Sequence, residues 1–245
     1  MIIADATAPT EVHGVHGAEG TSWWKCFVRG AELAGGWEAV EWARLPPGGL
    51  SGEHLHTRTE EVYILLTGSG QILLNGRSTP VRAGDVVLTG IGTRHGLLNT
   101  GPATLSWLVV EVLGPDTAAV FGRPMAGGAS AGRSERNAAM PAAQVFHLQE
   151  PGEIDPREVL TGPLRRIARQ RLAPAQADTV VADGSEFTLF VIAGSGTIAS
   201  GPASAPLGPE VSVTLPLGST ATVTAGPDGL ELFSLELLVP DGAAA

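Results

Sequence analysis

A single cysteine, Cys26, leaves no partner for an intramolecular disulfide, so no covalent staple supports this 245-residue chain. Its neighbours Trp24 and Phe27 suggest a buried thiol kept in a reducing compartment. Charge is scarce as well, only 16% of residues, and what there is leans acidic: 25 acidic against 15 basic residues, a net of -10. A surface of that sign repels phosphate backbones and anionic headgroups, which excludes nucleic acid and membrane surfaces as expected partners. Long apolar runs are missing too. The longest candidate, WLVVEVL from Trp107 to Leu113, carries Glu111 and is far too short to span a bilayer. The opening MIIADATAPTEVH has neither a basic residue nor an apolar stretch and does not read as a secretory signal. A cytoplasmic protein is the expectation.

What the chain has in quantity is glycine (33) and proline (18) beside 43% hydrophobic residues, a composition of short strands and many turns. From Trp37 to Leu113, apolar runs alternate with Gly, Pro, Asn and Asp, as antiparallel strands and tight turns do. LTGSGQILLNG reads as a hairpin. Residues 114–144 lose the pattern and read as a linker rich in Gly, Ala and Pro. The strand pattern then resumes, and the halves repeat: an offset of 126 carries Gly68, Gly70, Ile72 and Gly92 onto Gly194, Gly196, Ile198 and Gly218. Gly84 falls on Glu210, so the match is imperfect. Two copies of one all-β fold are expected, with domains at 1–113 and 145–245.

Chemistry concentrates in the first copy. His54 and His56 stand two apart, a spacing that on a strand aims both imidazoles to one side of the sheet. The surrounding order is Gly48, five residues, His54, one, His56, four, Glu61, six, Gly68. A second block runs Gly84, five residues, Gly90, one, Gly92, two, His95, three, Asn99. Together these resemble the paired motifs of the cupin superfamily, departing only where Gly90 replaces a proline. The resemblance implies two double-stranded β-helix barrels of the jelly-roll type, a bicupin. It also implies that His54, His56, Glu61 and His95 bind one divalent metal in the first. Such a mixed nitrogen and oxygen set suits iron, manganese, nickel, copper or zinc. Glu60 is the rival carboxylate, and Glu61 is preferred because it keeps the six-residue step to Gly68, leaving Glu60 to face outward. In the second copy the four ligand positions fall on Val180, Ala182, Phe187 and Ala221, so that barrel should be free of metal.

Other residues carry weaker signals. Tyr63 shares the strand side of Glu61 and could, like Glu61, position substrate or handle a proton, with packing as its default role. Arg94 could meet an anionic substrate, and Asn99 more simply fixes a turn. His13 and His16 lie outside any motif, and 165-RRIARQR-171 reads as a charged strand face. The five tryptophans all lie in the first half, where they could wall a pocket for an apolar or aromatic substrate. The expected function is that of a metal-dependent enzyme on a small organic molecule, with iron and dioxygen chemistry favoured. Alternatives are Lewis-acid isomerisation, cyclisation, decarboxylation or lyase chemistry on zinc, nickel or manganese, and a non-catalytic ligand binder. The resemblance makes a homodimer through sheet edges a further expectation.

Overall fold

A computed structural model describes residues 1–122 and 142–240. The first half supplies β1 (Ile2–Asp5), β2 (Thr10–His13), β3 (Thr21–Arg29), β4 (Trp37–Leu45), β5 (Leu50–Leu55) and β6 (Thr59–Thr67). It continues with β7 (Ser69–Leu74), β8 (Arg77–Arg82), β9 (Asp85–Thr89), β10 (Arg94–Leu98), β11 (Leu105–Leu113) and the short helix α1 (Pro115–Val120). The second half supplies β12 (Ala143–His147), β13 (Gly152–Ile154), β14 (Leu164–Leu172), β15 (Ala177–Val181), β16 (Ser185–Ser200), β17 (Ala203–Leu207), β18 (Val211–Leu215) and β19 (Thr220–Leu238). Among the described residues the fold is all-β but for α1 and a few single 3-10 turns, as the composition implies. Most of the expected linker, 123–141, lies outside the described residues.

Two sheets enclose the first barrel: a seven-stranded one in the order β12-β9-β6-β11-β4-β3-β2 and a four-stranded one, β5-β10-β7-β8. Strand alternation divides the labour. Odd-numbered residues of the central strands, among them Ala43, Leu45, Tyr63, Leu65, Trp107 and Val109, meet Ile72, Val81 and Leu97 of the facing sheet inside the barrel. Even-numbered ones, including Val40, Trp42, Val62, Ile64, Leu108 and Val110, pack outward against Ile167, Phe190, Phe233, Leu235 and Leu237 of the second half. With both faces covered, β6 is buried from Thr59 to Leu65, which explains its unbroken apolar run.

Pairing also crosses between the halves. β1 adds to β18, with Ile3 opposite Val213, and β12 adds to β9, with Val145 opposite Val87. Each half therefore donates an edge strand to the other's sheet, across the 1–113 and 145–245 division drawn from sequence. The LTGSGQILLNG expectation needs correcting. β6 and β7 lie in different sheets, and Gly68 (φ 76) makes the corner between them. The hairpin is β7 to β8, closed by Asn75 and Gly76, both left-handed as an Asn-Gly turn requires.

The repeat holds residue by residue at the ligand positions. His54 stands opposite His95 on β5 and β10, and Val180 stands opposite Ala221 on β15 and β19. Glu61 stands opposite Thr89, and Phe187 opposite Leu215. Even Glu210, the mismatch to Gly84, holds the same left-handed conformation (φ 67 against 86). In the second barrel, Ala182, Phe187 and Ala221 sit in an apolar core with Val180 packed against it, and among the described residues no donor cluster replaces the lost ligands.

Candidate metal centre

His54 on β5, His56 in the turn after it, Glu61 on β6 and His95 on β10 converge inside the first barrel, with one donor atom from each lying within 4.8 Å of the others. His56 Nε2 is 3.1 Å from His54 Nε2 and 3.0 Å from His95 Nε2. Glu61 Oε2 lies 2.5 Å from His95 Nε2 and 3.4 Å from His56 Nε2.

The far side of each ring is held. His54 Nδ1 is 3.1 Å from Gly52 O and His56 Nδ1 is 3.2 Å from Thr59 O. A carbonyl only accepts, so both Nδ1 atoms carry their protons and both Nε2 atoms face inward, each offering a lone pair when its ring is neutral. His95 Nδ1 meets Thr89 Oγ1 at 2.9 Å. Facing lone pairs about 3 Å apart repel unless a cation or proton lies between them. Glu61 Oε2 is buried without a well-directed hydrogen bond, and a cation among the three imidazoles would satisfy it. The donor set therefore fits a divalent metal, with outer partners of the kind that orient metal-binding imidazoles.

Electrostatics in the metal-free protein agree. Complete burial would raise the Glu61 carboxyl, but the His95 and His56 imidazoles outweigh it and hold the group well below the ordinary carboxylate range. Burial also disfavours a charged His56, yet Glu61 prevails and raises it; burial lowers His54 to about 4, leaving its lone pair free at neutral pH. Tyr63 packs 4.7 Å from the His95 ring and 5.7 Å from Trp107. Burial, reinforced by the Glu61 charge, pushes its phenol well up, so it is a hydrogen-bond donor at neutral pH and not a base.

A cavity of about 260 Å³ reaches the cluster, walled by Trp23, Trp24, Trp107, Tyr63 and His16. Trp37 and Trp42 are elsewhere, in the core between the halves. A second cavity, about 520 Å³, shares Trp24, Glu41 and Glu111 with the first and opens past Arg29 and Phe121.

Three lining residues escaped sequence reasoning. His16 stacks on His54 at 3.5 Å between centroids, 12° from parallel. The turn that carries it presses on Gly52, where a Cβ would lie 2.3 Å from His16 O. Nothing in the sequence marks that long-range contact. Glu41 and Glu111 were findable, because each interrupts an apolar run on the barrel-facing parity.

Burial, with Glu61 and Glu41 nearby, raises Glu111 to about 7. The folded chain then keeps a proton that the unfolded chain loses from the ordinary carboxylate range upward, so stability falls as pH rises towards about 7. Glu111→Gln in the metal-free protein is expected to be near neutral at pH 4 and stabilising by about 2 kcal/mol at pH 8, allowing for partial exposure. Denaturant unfolding at both pH values checks this, and an equal effect at both contradicts it.

The remaining candidates are structural. Asn99 Nδ2 donates to Leu45 O (3.1 Å) and Ala103 O (2.9 Å), and its Oδ1 accepts from Gly101 N (3.0 Å), fixing a turn. Arg94 and His13 are exposed, and His13 pairs with Glu11. Three arginines of the basic run on β14 are ion-paired: Arg166 with Glu153 and Glu236, Arg169 with Glu231, Arg171 with Glu150 and Glu231. Cys26 is half-buried, and burial raises its thiol. No helix among the described residues is long and apolar enough to cross a membrane.

Comparisons with known proteins place this geometry. A family profile described as a cupin domain matches residues 41–111. The oxalate-binding protein of Thermotoga maritima is 41% identical over 70 residues, 29% of this chain and 58% of that protein, so the match spans little more than half the relative's length. Among solved structures, Ylba from E. coli superposes with a TM-score of 0.71 at 10% identity, covering 96% of this chain and 89% of that one. The bacterial pirin YhhW from Escherichia coli, in complex with nickel(II), gives 0.67 at 15% identity, covering 98% and 100%. A salicylate 1,2-dioxygenase from Pseudaminobacter salicylatoxidans gives 0.61 at 13% identity, covering 81% and 70%. Identities this low speak for the fold alone.

Proposed function

From the premise that the chain belongs to the cupin superfamily through residues 41–111, we propose a metal-dependent enzyme of small-molecule metabolism, in the first instance an iron-dependent dioxygenase-type oxidoreductase. One observation carries this reading: three inward-turned imidazoles and a buried carboxylate share one point beside a small aromatic cavity. His54, His56, Glu61 and His95 would hold the metal. When bound, a divalent ion supplies Lewis acidity, and iron adds electron transfer to dioxygen.

The chain's own groups do the rest. Trp23, Trp24 and Trp107 present flat apolar surface to a substrate body and limit its size. Tyr63, protonated and beside His95, gives its one O–H to Glu61 and so orients the carboxylate towards the metal and the substrate. His16, stacked over His54, shields the cluster from bulk water on that side.

A second reading is a non-catalytic ligand binder, favoured by the oxalate-binding relative. Dioxygen uptake by iron-loaded and zinc-loaded protein, assayed over a panel of small aromatic and dicarboxylic acids, separates the two. Uptake with iron alone, and both atoms of labelled dioxygen in the product, supports the dioxygenase. Product formed equally with zinc moves the reaction to Lewis-acid chemistry, and ligand binding without product favours the binder.

A further inference from the structure

The repeat offset carries Glu60 onto Glu186, and these buried carboxylates do the same thing in opposite directions. Glu60 reaches into the second half: its Oε1 accepts from Thr161 N (2.8 Å) and Thr161 Oγ1 (2.7 Å), and its Oε2 from Gly162 N (2.6 Å). Glu186 reaches into the first: its Oε1 accepts from Ala34 N (2.9 Å) and its Oε2 from Gly35 N (2.9 Å) and Trp37 Nε1 (3.0 Å), while Leu217 N of its own half also donates to Oε1 (3.2 Å). Each clamp grips the turn that leads into the other half's β4 or β14. Both turns carry glycine where a Cβ would press on the clamp, 2.6 Å from Glu60 Oε2 at Gly162 and 2.8 Å from Glu186 Oε2 at Gly35.

The symmetry breaks at the neighbouring residues. Glu60 faces away from the barrel, while Thr59 and Glu61 on either side serve the cluster. Thr59 O receives His56 Nδ1, and Glu61 is the carboxylate ligand candidate. Beside Glu186 stand Ser185 and Phe187, with no ligand between them. We propose that Glu60 is a positioning residue, through which the Thr161–Gly162 turn of the metal-free half holds Glu61 and the His56 acceptor in register for the ion. This rests on the metal reading above and gives the degenerate barrel a part in it.

Glu186 is the built-in control, because its clamp supports the fold and touches no ligand strand. Cobalt(II) affinity, measured by competition with a chromophoric chelator and read beside the cobalt absorption spectrum, tests the proposal on wild type, Glu60→Gln and Glu186→Gln. Glu60→Gln is expected to weaken affinity about tenfold or more and shift the spectrum, as loss of groups that orient ligands does, whereas Glu186→Gln stays within about twofold despite a comparable loss of thermal stability. Equal affinities in the two variants, whether both weakened or both unchanged, would overturn it. Should Glu60→Gln not fold, Thr161→Val, which removes only the hydroxyl donor, decides: a fall of about threefold or more supports the proposal, and none overturns it. Failure of the wild type to bind cobalt(II) strikes the metal reading itself, a result distinct from either.

Discussion

Replacing Trp37 by alanine is expected to destabilise the whole chain by about 4 kcal/mol, the usual loss for a large aromatic residue in a packed core. Trp37 is 1% exposed and packs in the core that residues of both halves build together. Its Nε1 is also one of four donors to the buried Glu186 carboxylate, which the alanine variant leaves under-satisfied. Because that core is shared and edge strands are exchanged, thermal unfolding should be one cooperative transition. The variant should move all of it downward by about 10–15 °C, given 2–4 °C per kcal/mol at this size. Trp37→Phe, which keeps bulk and loses the donor, should cost about 1–2 kcal/mol. Two separate transitions in differential scanning calorimetry, or an alanine shift below about 2 °C, would contradict a shared core.

His95→Ala is expected to abolish metal retention and weaken affinity by more than about 100-fold, beyond what loss of a mere orienting partner costs. His95 is fully buried and stands nearest Glu61, so its removal takes one donor and leaves the carboxylate with a single imidazole, His56, alongside. Thr89→Val, which keeps the ligand and removes the hydroxyl that meets His95 Nδ1, should cost about 10-fold. Titration of metal-free protein with zinc against a competing chelator ranks the three, and parity of His95→Ala with wild type would remove His95 from the site.

The site was legible in the sequence because its information is local. Two histidines two apart, His54 on β5 and His56 just past its end, a glutamate five residues beyond and a histidine before Asn99 are fixed by short strand and turn segments and by glycine turns. The repeat was legible for the same reason: the left-handed corners at Gly68, Gly92, Gly194 and Gly218 demand glycine in both copies. What stayed hidden depends on distant chain. Glu60 was expected to face outward, and it does leave the barrel, but the second half covers that face and buries it to 1% exposure. No periodicity in the first half can announce that cover. His16 reads as a stray histidine until a turn folds onto Gly52 and stacks it on His54. The exchange of β1 and β12 is invisible for a related reason, since either strand's pattern suits any free sheet edge.

The account turns on a metal held by His54, His56, Glu61 and His95. Elemental analysis of protein purified without added metal or chelator, and again after loading with iron, manganese, nickel or zinc, tests it most directly. The prediction is about one transition-metal ion per chain, with an absorption-edge spectrum showing three imidazole nitrogens and a carboxylate oxygen at about 2.0–2.2 Å. Protein that carries no metal as purified and takes up none on loading would contradict it.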